Sequence, residues 1–144
     1  MDTKFSVAVH VLVMISESPV AIDSNAMAES VGTNSSYIRK VLALLKRAGI
    51  IENNGREAGY SLTCPPDELS LLRIYEAVCD DGVHLLDIHR NPNDRCLVGH
   101  NIRPMLTEMF SEAEDAFRRS LSGRTLADCI SRLYRMIEDQ GHVV

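Results

Sequence analysis

Apolar residues at Phe5, Ala8, Val9, Leu12 and Ile15 recur at the spacing of one helix face, so a first helix is predicted from Asp2 to Ser16 or Glu17, stopped by Ser18-Pro19. Asp23 or Ser24 then offers an N-cap for a helix of about two turns that carries Ala26, Met27 and Val31 and closes at Gly32. Thr33 to Ser36 supply cap candidates for a third helix, whose stripe of Ile38, Val41, Leu42 and Leu45 runs to a stop at Ala48-Gly49. Ile50-Ile51 and Tyr60 to Leu62 read as short strands joined through Asn53-Asn54-Gly55, a hairpin signal. Helix, helix, turn, helix, hairpin is the order of a winged helix-turn-helix. In that arrangement the third helix enters the major groove and the hairpin lies against the adjacent backbone or minor groove.

Past Cys64-Pro65-Pro66, the residues Leu69, Leu72, Ile74, Tyr75 and Val78 predict a fourth helix ending near Asp80-Asp81-Gly82. Residues 83–95 show no convincing period and read as a loop. A long stripe follows through Ile102, Leu106, Met109, Phe110, Ala113, Phe117 and Leu121, with Pro104 expected to kink or restart its helix. Leu126, Ile130, Leu133 and Ile137 mark a last helix, capped by Thr125 or Ser122. The expected fold is therefore mainly α with a small β-hairpin. It comprises a winged helix-turn-helix over 1–66, a connecting helix and sensor loop over 67–96, and long dimerisation helices over 97–144, in one compact chain. The long stripe has too little partner surface in so short a chain, which favours packing on a second copy. An intrachain pair of the last two helices is the alternative.

Composition narrows the class. The chain has 144 residues, 45% hydrophobic and 24% charged, as in one soluble globular domain. No run approaches about 18 apolar residues, and Val7 to Ile15 lacks the basic start and small-residue end of a leader, so no membrane association and a cytoplasmic location are expected. Four cysteines at irregular spacing, with no C-x-x-C pair, suggest neither a disulfide framework nor a zinc ribbon. No nucleophile with its base and no phosphate-cradling loop is present, which argues against an enzyme.

The net charge of -5 speaks against a nucleic-acid partner until its distribution is considered. Residues 36–64 carry Arg39, Lys40, Lys46, Arg47 and Arg56 against Glu52 and Glu57, and the acidic excess lies wholly in the second half. A local basic face binds phosphate on an acidic molecule as well as on a basic one. Ser35, Ser36, Arg39 and Lys40 fall on the outward side of the third helix, where hydroxyls and guanidinium groups suit phosphate and base-edge contacts.

The runs Ser35-Ser36-Tyr37-Ile38-Arg39-Lys40-Val41-Leu42 and Leu45-Lys46-Arg47-Ala48-Gly49-Ile50-Ile51, together with Gly55 through Ala58-Gly59-Tyr60-Ser61-Leu62, resemble the recognition helix and wing of the Rrf2 family of IscR-, NsrR- and CymR-type regulators. Ala58 departs from the pattern, since the family usually has a second glycine there. The resemblance implies a homodimeric regulator, typically a repressor, of double-stranded DNA with a pseudo-palindromic operator. Ser35, Ser36, Tyr37, Arg39, Lys40 and Arg56 would contact the duplex. It also implies a sensor between the fourth helix and the dimerisation helix. Cluster-binding members carry three cysteines there, whereas this chain has only Cys96. No iron-sulfur cluster or other cofactor is therefore expected, and the segment Asn91 to Gly99 resembles the cluster-less, YwnA-like members.

Cys96 follows Arg95 and stands at or just before the start of the long helix. A cation and a helix N-terminus both favour thiolate, the species oxidants attack. Cys96 is thus the candidate redox sensor, alone or with a second thiol such as Cys129 of the partner subunit. The competing reading is a metal ion or small ligand at the loop or dimer interface. For a metal the candidates are His84, His89, Cys96 and His100, whose spacing matches no tight signature.

Overall fold

The computed structural model describes residues 2–79 and 85–141. In chain order these form α1 (Lys4–Glu17), α2 (Ser24–Val31), α3 (Ser35–Arg47), β1 (Ile51–Asn53), β2 (Tyr60–Leu62), α4 (Leu71–Cys79), α5 (Leu97–Ser122) and α6 (Leu126–Asp139). Local chemistry sets most of these bounds. The Asp23 carboxylate accepts the Ala26 N–H at 2.9 Å to open α2, and Gly32 closes it in the left-handed conformation. Among the cap candidates for α3, Asn34 takes the position and accepts the Tyr37 N–H at 2.8 Å.

Val7, Ala8, Val11 and Leu12 of α1 meet Met27 and Ala28 of α2 and Ile38, Val41, Leu42 and Leu45 of α3 in one buried cluster. Each such large aliphatic side chain contributes about 1.5–3 kcal/mol on full burial. That packing is what holds α2, whose eight residues are too few for a stable isolated helix.

The hairpin pairs Ile51 with Leu62 and Asn53 with Tyr60, antiparallel. Its turn is wider than Asn53-Asn54-Gly55 alone. The Asn54 N–H donates to the Gly59 carbonyl at 2.8 Å, and the Gly59 N–H to the Gly55 carbonyl at 2.7 Å. Gly59 has positive φ, and a Cβ there would come within 2.9 Å of the Ala21 Cβ, so the wing packs directly on the segment before α2.

After a 3-10 turn over Pro66–Glu68, α4 starts at Leu71, two residues later than the apolar spacing suggests. Leu69 and Ser70 instead lie alongside residues 124–126, with Ser70 bridged to Thr125. The Leu126 N–H donates to the Leu69 carbonyl and the Leu71 N–H to the Arg124 carbonyl, both at 2.9 Å. Leu69 and Leu126 are fully buried beside this bridge. Tyr75 of α4 stands edge-on between Phe5 and Phe117, with ring centroids 5.4 and 5.3 Å away, and so ties α4 to both α1 and α5.

The 26-residue α5 runs through Pro104 without the restart that proline could impose. Proline there removes the N–H that would reach His100, and since both residues are exposed, water can hydrate the freed carbonyl. None of the residues of α5 is buried. α6 opens with a reciprocal capping box, Thr125 accepting the Asp128 N–H and Asp128 accepting the Thr125 N–H. Among the described residues no helix is long and apolar enough to cross a membrane.

Candidate nucleic-acid interface and sensor segment

The buried stripe of α3 leaves Ser36, Arg39 and Lys40 exposed on its other side, with Ser35 half-buried. Neither Arg39 nor Lys40 is ion-paired among the described residues. Tyr37 is half-buried, its hydroxyl 3.5 Å from Thr3 Oγ1 at the start of α1. Arg56 stands apart from these, in the exposed turn of the wing. It lines a cavity of about 340 Å³ together with Asp23 and Ser24 at the start of α2. From sequence, Asp23 or Ser24 is a helix cap and nothing sets residues 21–24 beside the wing. Their place beside the wing follows from the close approach at Gly59, a glycine whose two constraints are the one local signal of it.

Between α4 and α5, the described residues 85–95 fold back along α5. The Leu86 N–H donates to Glu114 Oε1 at 3.1 Å, and the Arg103 guanidinium donates to the His89 carbonyl. A cavity of about 310 Å³ lies beneath, lined by Leu86, Ile88, Arg103 and Phe110 among others.

Cys96 is the N-cap residue of α5 and is exposed. Its thiol makes no cap hydrogen bond of ordinary geometry. The N–H groups of Gly99 and then Val98 nevertheless favour the thiolate and hold the thiol below its usual range. Of the two influences expected from sequence, the first turn of the helix is the one seen at the thiol. Cys129 differs: burial first, then the Asp128 carboxylate, pushes its thiol up against the opposing pull of Arg132 and Arg124. His89 and His100 are exposed, and His84 lies outside the described residues. No three His, Cys, Asp or Glu side chains gather into a metal-holding group among the described residues.

Three helices packed as a trihelical head, a β-hairpin wing after the third, and a basic outward face on that third helix define a winged helix-turn-helix transcriptional regulator. The Rrf2 family model, described as an iron-dependent transcriptional regulator, matches residues 1–132, and the chain belongs to this family, one of DNA-binding regulators rather than enzymes. It is 34% identical over 134 residues to YwnA of Bacillus subtilis (strain 168), whose name places it among HTH-type transcriptional regulators. That match covers 93% of this chain and 99% of YwnA. A crystal structure described as that of a DNA-binding protein is similar with 31% identity and a TM-score of 0.72, over 88% of this chain and 98% of that one. A transcriptional-regulator structure from Lactobacillus plantarum shares the fold, with 23% identity, a TM-score of 0.75 and 99% and 100% coverage.

The family description names iron, and the residues present do not fit a cluster. Cys96 is the sole cysteine between α4 and α5, and Cys64, Cys79 and Cys129 lie on other elements or at their ends. An iron-sulfur cluster needs about four protein ligands, mostly thiolates.

Proposed function

We propose that the chain is a homodimeric, cytoplasmic repressor whose hold on a pseudo-palindromic operator is governed by oxidation of Cys96. Ser35, Ser36, Tyr37, Arg39 and Lys40 of α3 and Arg56 of the wing contact the duplex. The observation that carries the sensing role is an exposed thiol, made acidic by the first turn of α5. Attack of its thiolate on a peroxide oxygen gives sulfenic acid and expels hydroxide. With hypochlorous acid the second product is chloride. The new oxygen is a better acceptor than sulfur for the N–H groups of Val98 and Gly99, and its capture by them re-forms the first turn of α5. A shift of one long helix against its partner changes the separation of two reading helices that must meet both half-sites at once.

The test uses duplexes that the reduced protein retains from its own genomic DNA. Their affinity is measured while the protein is titrated with peroxide, hypochlorite, a disulfide oxidant and a quinone. Wild type is expected to lose affinity and Cys96→Ser to keep it. Equal responses, or none, would remove Cys96 as the sensor. The cavity beneath residues 85–90 favours a second reading, a small ligand held against Arg103 and Phe110. That reading takes over if Cys96→Ser responds like wild type.

A further inference from the structure

Four arginines line a groove that belongs to neither the reading helix nor the wing. Arg119 lies near the end of α5, Arg124 lies in the turn after it, and Arg132 and Arg135 stand on α6, around a concave space of about 740 Å³. None of the four is ion-paired among the described residues, whereas Arg118, one position from Arg119, is engaged by Glu76 at 3.1 Å. The carboxylate in the lining, Asp128, already accepts the Thr125 N–H at 2.9 Å as half of the capping box. Burial first, then Asp128, Arg132 and Arg124, all act on the Cys129 thiol in the lining, so charges of both signs are felt within the groove.

Like charges facing one concavity repel, and the repulsion is relieved when an anion sits between them. The chain as a whole carries -5, so this concentration of cations is not the by-product of a basic protein. Arginine presents a planar fork of donors that matches phosphate oxygens two at a time, and Ser120 and Ser131 add hydroxyls to the lining. The space is far larger than one phosphate needs and falls within the roughly 300–1,000 Å³ of small-molecule sites. A duplex spreads its charges along a strip, while a concave site with four cations suits phosphates joined to one another.

We propose that the groove between the end of α5 and α6 binds a di- or triphosphate group, carried either by a nucleotide or by an inorganic polyphosphate. The site is separate from Cys96 and from the DNA-reading face, so it stands or falls independently of the sensing mechanism. The experiment is calorimetric titration of the full chain, without DNA and at constant ionic strength, with inorganic tripolyphosphate and with ATP. One saturable site per chain is expected. Arg132→Gln and Arg135→Gln should each weaken binding about tenfold, the loss of a charge-assisted hydrogen-bond pair. Arg132→Lys, which keeps the charge and loses the fork, should fall between. Arg118→Gln, outside the groove, should bind as wild type. Arg132 and Arg135 are exposed and Arg118 is half-buried, and circular dichroism checks that all the variants fold. Tighter binding of ATP than of tripolyphosphate identifies a nucleotide, and equal binding the phosphate chain alone. The proposal is overturned if neither probe saturates, if sulfate at the same ionic strength displaces them, or if Arg132→Gln and Arg135→Gln bind normally. It is equally overturned if those variants flatten the salt dependence of operator binding while tripolyphosphate fails to bind, since the groove is then a DNA contact.

Discussion

A side chain at position 99 would collide with the Asn93 carbonyl, so glycine there lets the 91–95 turn lie across the first turn of α5. Asn91 reaches the same turn with φ of 58°, a conformation asparagine tolerates better than most residues. The Cys96 N–H points back to the Asn93 carbonyl at 3.4 Å, and the Gly99 N–H is the strongest influence on the Cys96 thiol. Gly99 therefore acts on Cys96 twice, through its N–H and through its missing Cβ. Because the Cys96 pKa is lowered and the Cys129 pKa raised, the Cys96 thiolate persists to lower pH. Iodoacetamide labelling followed by mass spectrometry should reach half its maximal rate at lower pH for Cys96 than for Cys129. Gly99→Ala should push the Cys96 midpoint upward. An unchanged midpoint would mean that the turn does not set the acidity of the thiol. The position of Cys96 at a helix start was legible in the sequence. The source of its acidity was not, because a neighbouring arginine is visible in a string of letters and the direction of an N–H is not.

Among the elements, α5 is the one left most incomplete by its own chain. Val98, Ile102, Met105 and Met109 share one stripe at helical spacing, and three of them, Val98, Met105 and Met109, are 69%, 43% and 59% exposed. Apolar side chains aligned in this way are the surface a second copy would cover. Met105→Glu combined with Met109→Glu should convert a dimer to monomers in sedimentation velocity and weaken operator binding, since each half-site is then engaged separately. Both positions are exposed, so the thermal melt should change little. A variant that stays dimeric would place the interface elsewhere. The existence of each described helix was legible because its apolar period is strong, and α2 was legible in spite of its length because Asp23 and Gly32 bracket it. What escaped the sequence was decided at a distance. The late start of α4 depends on residues 124–126, and the arginine groove joins Arg119 and Arg124 to Arg132 and Arg135 only once α6 turns back on α5.

Over the whole molecule, attraction to DNA is local and opposed by the rest of the charge. With -5 overall, the proposed docking turns the cations of α3 and the wing toward the duplex and holds the acidic second half away. Lys40→Ala should therefore weaken all duplexes alike and lower the salt slope by about one unit. Arg39→Ala should cost roughly 1–3 kcal/mol and relax one base position. Fluorescence anisotropy over a salt series separates the two, and undiminished operator affinity in an Arg39→Ala, Arg56→Ala double variant would contradict this docking. The C-terminal helices are fastened to the head by Tyr75 between Phe5 and Phe117, by the Tyr134 hydroxyl donating to Glu17, and by the extended crossing of residues 69–71 with 124–126. The bonds of this crossing join main-chain atoms, with the buried Leu69 and Leu126 packed beside them. Exposed side chains of the C-terminal helices can thus be replaced without removing a single bond of this joint, so long as the two leucines that flank it stay apolar.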